Sequence, residues 1–230
     1  MPHVQRLGAA AAVSRVPYRM AVFDLDGTLL NTAEGILAAI THTARELCLP
    51  LPPSEQLAPA FIGPPAESSF ATVFGLHGAA LTAACRSFRT RYATHELYRA
   101  EPYCGIFAVL QALKARGVLL GIATYKKERY ALPLLAHFRL TPLLDVACGT
   151  LGEEPKAAVL ARVLQETGVA PSGAVMIGDT TSDAEAAAAV GCDFIGVTYG
   201  FGFRQESEKK ATRARFFADV PTDILHFFER

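Results

Sequence analysis

Five short runs of β-branched and other apolar residues constrain the fold more than any other feature of this sequence. They are Met20–Phe23, Val118–Ala123, Val146–Cys148, Ala174–Ile177 and Phe194–Val197, each followed directly by Gly, Asp or Thr. Segments with helical spacing lie between the later runs, for example residues 107–114 and 159–164, which stop before Gly117 and Gly168. This alternation predicts an α/β fold with a Rossmann-like parallel sheet as its core.

A different pattern separates the first run from the second. Between residues 31 and about 100 the apolar residues follow helical spacing, as in Ile36, Ile40 and Ala44, and no β-rich run occurs. Prolines at positions 50, 52, 53, 64 and 65 are expected to set the helix boundaries. We therefore predict an α/β core formed by residues 20–33 and 101–230, an inserted α-helical cap domain at 34–100, and a disordered extension at 1–19.

Composition narrows the classes of function. The 22 basic and 22 acidic side chains give a net charge of zero, which argues against a nucleic-acid partner. No apolar run approaches the roughly 18 residues of a membrane span, so no membrane partner is expected. The five cysteines form no C-x-x-C pair and are odd in number, which is typical of a reducing compartment. A globular, cytoplasmic protein is the expectation.

Two aspartates follow the first run directly. Asp24 and Asp26 belong to the sequence D-L-D-G-T at 24–28, and in extended geometry their side chains would lie on the same side of the strand. Ligands bind at this carboxyl edge in open parallel sheets. Two carboxylates there need a cation, hydrogen bonds or a proton to coexist. The alternative interpretation is a pair of turn-forming aspartates before Gly-Thr.

A second acidic pair, Asp179 and Asp183, follows the run Ala174–Ile177 in the sequence G-D-T-T-S-D at 178–183. Asp183 could simply favour the positive N-terminus of the alanine-rich helix that follows. Asp179 has no such explanation. The two pairs together would make the oxygen-lined site that Mg²⁺ prefers.

Two further residues could bind an anion at the same edge. Thr124 is predicted to end the run Val118–Ala123, close to the N-terminus of the next helix, and Lys156 is predicted to open the helix that runs to Thr167. Taken singly, a threonine there is often a helix cap and a lysine beside two glutamates is often a surface charge. The order of acid pair, threonine, lysine and second acid pair, each beside a strand end, favours one shared site.

With these motifs in this order, the chain resembles the haloacid dehalogenase-like hydrolase superfamily, in particular its phosphatases with a helical cap after the first motif. D-L-D-G-T at 24–28 resembles the first motif, Thr124 the second, Lys156 the third and G-D-T-T-S-D at 178–183 the fourth. The stretches 61–65, 103–106 and 196–202 are similar to the phosphoglycolate-phosphatase-like branch. The resemblance extends from Met20 to the C-terminus.

The resemblance implies a catalytic role for four residues. Asp24 would attack phosphorus and form an aspartyl-phosphate, and Asp26 would act as general acid and then as general base. Thr124 and Lys156 would bind the oxygens of the transferring phosphoryl group.

The resemblance also implies a Mg²⁺ cofactor and a specificity surface in the cap. Asp24, Asp179 and, through water, Asp183 would hold the ion, together with the backbone carbonyl of Asp26. Tyr125 stands where the family commonly has a small or amide residue, so it is expected to narrow the site or contact the leaving group. The remaining candidates for substrate binding are Gly63 within Phe61–Pro65, and the polar cap residues Glu34, Arg89 and Arg91.

The expected function is a Mg²⁺-dependent phosphatase that hydrolyses a small phosphorylated metabolite, with a phosphoglycolate-like acid as first candidate. A nucleotidase or pyrophosphatase of the same fold stays open. A phosphomutase similar to β-phosphoglucomutase is a further alternative, but such relatives often carry a histidine early in the cap, where this chain has Glu34-Gly35-Ile36. Dehalogenation is less favoured because dehalogenases lack the second carboxylate, here Asp26. A monomer or a homodimer is expected.

Overall fold

A six-stranded parallel sheet forms the centre of the molecule in the computed structural model, which describes residues 18–228. The described residues form eight strands, of which six make up this sheet and two, β2 and β3, pair separately. They are β1 (Met20–Phe23), β2 (Leu30–Asn31), β3 (Glu101–Pro102), β4 (Leu119–Lys127), β5 (Val146–Thr150), β6 (Ala174–Gly178), β7 (Asp193–Val197) and β8 (Phe216–Ala218). The order in the sheet is β5-β4-β1-β6-β7-β8, and all its neighbouring strands are parallel. The predicted α/β fold with a Rossmann-like parallel core is confirmed.

Ten α-helices surround or extend this sheet within the described part of the chain. They are α1 (Ala33–Glu46), α2 (Ser54–Phe61), α3 (Ala66–Phe74), α4 (Gly78–Arg91), α5 (Ile106–Ala115), α6 (Glu128–His137), α7 (Lys156–Thr167), α8 (Thr181–Val190), α9 (Glu206–Ala211) and α10 (Asp223–Phe227). Between residues 18 and 228, none of these helices has the combination of length and hydrophobicity that crossing a bilayer requires.

The alternation of side chains along β1 explains why both faces of the sheet are covered. Met20 and Val22 pack into the apolar cluster beneath α7 and α8, whereas Ala21 and Phe23 pack into the larger cluster on the opposite face, which includes residues of α5 and α10. All four side chains are fully buried. A central strand with two apolar faces is typical of a doubly covered parallel sheet.

The inserted segment after β1 is helical, as predicted. Helices α1 to α4, which we call the cap helices, pack on one another, and α4 continues into a π-helical turn at Tyr92–Glu96. Helix α2 begins directly after Pro53 and α3 directly after Pro65, so two of the prolines do mark helix boundaries. The short antiparallel pair β2–β3 joins the chain entering the cap helices to the chain leaving them.

Several details differ from the sequence predictions. Strand β4 runs to Lys127, four residues beyond the predicted end, with a register irregularity between Ala123 and Lys127. Strand β8 was not predicted. Residues 1–17 of the predicted extension lie outside the described residues. Tyr18 is buried, and Arg19 bonds through its backbone to Gly173 and Leu119, so the ordered core begins before Met20.

Candidate active site

Asp24 lies at the carboxyl end of the most central strand. The backbone N–H of Asp24 donates to the carbonyl of Ile177 at 2.9 Å, which continues the β1–β6 pairing one residue beyond Phe23. Its carboxylate is buried. This pairing places Asp24 beside the end of β6, where the second acidic pair begins.

Asp179 follows β6 and is held by backbone groups from a distant loop. Its Oδ2 accepts hydrogen bonds from the N–H of Phe201 at 2.7 Å and of Gly202 at 3.3 Å, and Thr28 Oγ1 donates to its Oδ1 at 3.4 Å. Gly27 has φ +84°, and a Cβ at that position would lie 2.2 Å from Asp179 Oδ2. Glycine in the first motif therefore provides both the left-handed turn and the space for this carboxylate.

Asp183 fulfils the helix-cap interpretation and also faces the other two aspartates. Its Oδ2 accepts hydrogen bonds from the N–H of Thr180 at 3.0 Å and the Thr180 hydroxyl at 2.7 Å, which forms a capping box at the start of α8. Its Oδ1 instead contacts the ammonium of Lys156. Asp183 therefore caps α8 with one carboxylate oxygen and directs the other towards Lys156.

Lys156 connects the two acidic pairs. Its Nζ lies 2.9 Å from Asp24 Oδ1 and also forms an ion pair with Asp183, and its side chain is only 3% exposed. Burial alone would lower the pKa of this amine, but the two carboxylates outweigh burial and hold the pKa well above its usual value. Lys156 therefore carries its charge beside Asp24 and Asp183.

The three aspartates fit a divalent cation. Each of Asp24, Asp179 and Asp183 offers a carboxylate oxygen, and these oxygens lie within 4.8 Å of one another. Asp24 Oδ1 and Asp183 Oδ1 are buried and accept no well-aligned hydrogen bond, although both face the Lys156 ammonium. Three carboxylates and one ammonium leave two negative charges, which match one Mg²⁺.

Without a metal ion, the negative charge of the three aspartates that Lys156 does not balance can be compensated only by binding protons. Burial, followed by repulsion from neighbouring carboxylates, raises the pKa of Asp179 to about 8. Burial also raises the pKa of Asp24 to about 6, although Lys156 opposes this rise. The ion-free site therefore takes up protons near neutral pH, and a cation would displace them.

Asp26 is separated from this cluster by its own cation. Both of its carboxylate oxygens accept hydrogen bonds from Lys126 Nζ, at 2.8 and 3.0 Å. The Lys126 ammonium also lies 4.9 Å from the ring centroid of Tyr92, a residue of the π-helical turn. The carboxylate of Asp26 thus lies outside the three-aspartate cluster, which leaves its backbone carbonyl as the predicted metal contact.

Thr124 and Tyr125 lie within β4 rather than after it. Because β4 continues past Ala123, Thr124 is not at a helix N-terminus; helix α6 begins four residues later, at Glu128. The prediction that Thr124 ends the strand is therefore wrong, although the residue is buried and lines the same cavity as Asp24. Tyr125 also lines this cavity, with its ring centroid 5.9 Å from Lys156 Nζ.

The cavity has a volume of about 500 Å³ and lies between the sheet edge and the cap helices. We call the sheet side the core wall; it includes Asp24, Asp26, Thr124, Lys126 and Lys156. The opposite side, which we call the cap wall, is formed by Ile36, Phe61, Gly63, Glu67, Phe88, Arg89 and Tyr92. Predicted residues from both the core and the cap therefore share one space.

The predicted polar residues of the cap divide into two groups. Arg89 reaches the cavity, where it forms an ion pair with Glu67. Arg91 instead donates to the buried Glu96 at 2.8 Å, and Glu34 pairs with Arg99, which also contacts Glu96. Glu34 and Arg91 do not line the cavity, because both are engaged where the chain enters and leaves the cap helices.

Sequence reasoning missed two features of the site. Lys126 was not singled out, although its position two residues after Thr124 on an extended strand gives both side chains the same orientation. The loop at 200–202 was noted only as a family stretch, yet its N–H groups hold Asp179. Its position directly after β7, at the same sheet edge, was the available signal.

Comparisons with known proteins agree with this geometry. A family model described as haloacid dehalogenase-like hydrolase matches residues 21–197. Over 197 residues the chain is 31% identical to the tyrosine-protein kinase PtkA of Mycobacterium tuberculosis, with 84% of this chain and 67% of that protein covered. Over 192 residues it is 34% identical to a phosphoglycolate phosphatase of Rhodospirillum rubrum, with 78% and 79% covered.

A solved structure is similar over almost the whole described chain. The haloacid dehalogenase-like hydrolase of Streptococcus pneumoniae has a TM-score of 0.86 and 31% identity, and the match covers 92% of this chain and 99% of that one. The chain belongs to the haloacid dehalogenase-like hydrolases, as its motifs predicted, and to the phosphatase branch of that family.

Proposed function

We propose that the protein is a Mg²⁺-dependent phosphatase that hydrolyses a small phosphorylated metabolite through an aspartyl-phosphate on Asp24. One observation carries this proposal: Asp24 lies among two further buried carboxylates and one buried ammonium, at the floor of a cavity of about 500 Å³. A structural ion pair alone would not need an open cavity above it. An anion-binding site alone would not need three carboxylates.

In the first half of the reaction, an oxygen of Asp24 attacks phosphorus and forms a new P–O bond, while the ester P–O bond breaks. Attack by an anion on a phosphate dianion is opposed by charge, since two unit charges ~4 Å apart repel by about 4 kcal/mol at an effective dielectric of 20. Lys156 provides one positive charge at this point, and Thr124 provides a hydroxyl on the core wall. Both groups stabilise charge on the phosphoryl oxygens.

Asp26 moves the proton in both halves. It donates a proton to the leaving oxygen in the first half and takes one from water in the second, when that water attacks the aspartyl-phosphate and releases inorganic phosphate. The contact with Lys126 positions this carboxylate away from the three-aspartate cluster. Asp24 is therefore free to attack phosphorus, and Asp26 is free to transfer the proton.

Asp24, Asp179 and Asp183 would hold the Mg²⁺ ion, with the backbone carbonyl of Asp26 as a further ligand. The ion, when bound, supplies two positive charges against the phosphoryl group and the nucleophile. The net charge of the side chains supports this assignment, because the cluster lacks two positive charges without it.

The names of the relatives indicate more than one class of substrate. The name of the R. rubrum relative supports a phosphoglycolate-like acid, whereas another relative of similar identity is named a tyrosine-protein kinase. A nucleotide, pyrophosphate or sugar phosphate belongs in the same test. We further propose a cytoplasmic protein that is a monomer or a homodimer.

The test is release of inorganic phosphate from a panel of phosphate esters, with Mg²⁺ and with chelator, by the wild type and Asp24→Asn. Wild-type turnover should require Mg²⁺. The turnover rate of Asp24→Asn should be lower by at least about 10³-fold, while its circular dichroism spectrum stays unchanged. Trapping of phosphate on wild type, but not on the variant, would identify the intermediate. Wild-type activity in Asp24→Asn would refute the assigned nucleophile.

A further inference from the structure

The cap wall is aromatic where it faces the substrate. Phe61, Phe88 and Tyr92 line the cavity from the cap side, and Tyr125 and Tyr130 line it from the core side. Three of these rings contact one another: Phe88 stacks on Tyr92 at 5.9 Å between centroids, and Tyr92 meets Tyr130 edge-on at 6.0 Å. Such a packed set of rings has a fixed shape and offers apolar surface.

The cations of the cavity already have partners. Lys156 pairs with Asp24 and Asp183, Lys126 pairs with Asp26, and Arg89 pairs with Glu67. Lys127, at the rim, donates to the carbonyl oxygen of Gly152 at 2.7 Å. A second anionic group on a substrate, such as a carboxylate, would therefore have to compete with an acidic side chain for Lys156, Lys126 or Arg89, or else reach Lys127 at the rim.

The overall charge of the lining leads to the same conclusion. Four cationic and five acidic side chains line the cavity, so its wall has no excess of positive charge. Burial raises the pKa of Glu67, but the Arg89 guanidinium and the nearby Lys127 outweigh burial and hold the pKa below its usual value. Glu67 therefore stays ionised and continues to neutralise Arg89 at neutral pH.

The size of the cavity also exceeds what a two-carbon acid fills. About 500 Å³ falls within the range of roughly 300–1,000 Å³ that is typical of sites for larger organic ligands. A phosphoryl group on the core wall would leave space towards Phe88 and Tyr92. A planar ring fits that space and its surroundings.

We propose that the organic part of the substrate is an uncharged aromatic group, so that the enzyme prefers phosphate monoesters of aromatic alcohols to phosphorylated carboxylic acids. This inference rests on the proposed phosphatase function and specifies its substrate class. The phosphate is recognised by the core wall, and the ring is recognised by the cap wall.

The experiment compares benzyl phosphate, ethyl phosphate and 2-phosphoglycolate with Mg²⁺. All three esters release an aliphatic alcohol, whose oxygen takes its proton from Asp26, so the comparison reports on recognition of the organic group rather than on leaving-group chemistry. We expect kcat/KM for benzyl phosphate to exceed that for 2-phosphoglycolate by at least about tenfold, with ethyl phosphate between them. Equal values, or a preference for 2-phosphoglycolate, would overturn the inference and leave the phosphatase function intact.

Paired variants connect this preference to the cap wall. Phe88→Leu should lower kcat/KM for benzyl phosphate by about threefold to tenfold and leave ethyl phosphate nearly unchanged. Phe74→Leu, in the same aromatic cluster but outside the cavity lining, is the matched control and should change neither. An equal loss in both variants would show that the effect comes from cap packing and not from the ring contact.

Removal of the acidic partner of Arg89 should improve the use of phosphorylated carboxylic acids as substrates. Glu67→Gln removes the charge that neutralises Arg89, so kcat/KM for 2-phosphoglycolate should rise several-fold; Glu185→Gln, on the exposed side of α8, should have no effect. Binding is measured separately in Asp24→Asn by calorimetry, where benzyl phosphate should bind at least about tenfold more tightly than 2-phosphoglycolate. If wild type hydrolyses neither these esters nor any other substrate of the panel, the phosphatase function fails, while this binding order still decides the inference.

Discussion

The core wall and the cap wall of the cavity differ in how their charged side chains are held. On the core wall, the side chains of Asp24 and Lys156 are 6% and 3% exposed, and each lies directly after or at the start of a regular element. On the cap wall, the ion pair between Arg89 and Glu67 is 30% and 41% exposed and joins two cap helices. The same kind of contact is therefore buried on one wall and partly solvated on the other.

This difference in burial suits the core wall to the reaction itself and the cap wall to the choice of substrate. A buried ion pair is costly to break, since removal of one partner commonly costs about 3–5 kcal/mol, whereas a solvent-exposed pair contributes about 0–1 kcal/mol. The core wall can therefore hold reacting groups in one geometry. The cap-wall pair lies apart from the metal cluster, so substitutions there should change which substrate is used and leave the metal site unaffected.

The largest effect should come from separating the roles of two carboxylates, Asp26 of the core wall and Asp179 of the three-aspartate cluster. Asp179→Asn should weaken Mg²⁺ binding by at least about 100-fold, because the cluster loses a ligand and a charge. Asp26→Asn should bind Mg²⁺ nearly normally and lose about 10²–10⁴-fold in kcat, because its carboxylate contacts Lys126 and not the cluster. Calorimetry gives the affinity, steady-state kinetics give kcat, and an equal loss of affinity in both variants would contradict the division of roles.

The sequence pattern brought Asp24 and Asp179 together because each directly follows a recognisable strand. Asp24 follows β1 and Asp179 follows β6, and the edge of a parallel sheet brings such positions together regardless of their separation along the chain. Lys126 was missed because its environment depends on β4 extending past Thr124. Only that extension makes the two-residue spacing from Thr124 informative and so distinguishes Lys126 from Lys127, which points to the rim.

The cap wall could be predicted only as a helical segment with candidate residues. Arg89 and Arg91 lie two positions apart on α4 and look equivalent in sequence, yet one faces the cavity and the other pairs with Glu96. Their difference is set by how α4 packs against its neighbours. Strand β8 was missed for a related reason: Phe216–Ala218 is too short for a periodic signal, and its pairing with β7 forms it.

A smaller effect concerns the pH dependence of the unfolding free energy, which arises in the three-aspartate cluster. The raised pKa values of Asp24, about 6, and Asp179, about 8, mean that the ion-free folded protein binds more protons than the unfolded chain between about pH 4 and 8. Its unfolding free energy should therefore fall as pH rises through this window, by several kcal/mol.

Mg²⁺ should remove most of this dependence. Because the ion replaces the protons, the rise in Tm on adding saturating Mg²⁺ should be larger at pH 8 than at pH 5.5, as measured by thermal denaturation. Asp179→Asn provides the control, since it should reduce both the pH dependence without ion and the rise with ion. A rise in Tm that is greater at pH 5.5 would contradict the protonation of these carboxylates.

The smallest effect should come from the cap wall. Gly63 has φ +103° and lies beside Thr180, so that a Cβ would lie 3.4 Å from Thr180 Cγ2; Gly75 has φ +64° and open space around it. Gly63→Ala and Gly75→Ala should each lose about 1 kcal/mol of unfolding free energy, because both force alanine into a left-handed conformation. Only Gly63→Ala should also raise KM, by about twofold to fivefold, since only Gly63 lines the cavity. Mg²⁺ affinity should be unchanged in both variants, and a loss of affinity in Gly63→Ala would mean that the two walls are coupled rather than independent.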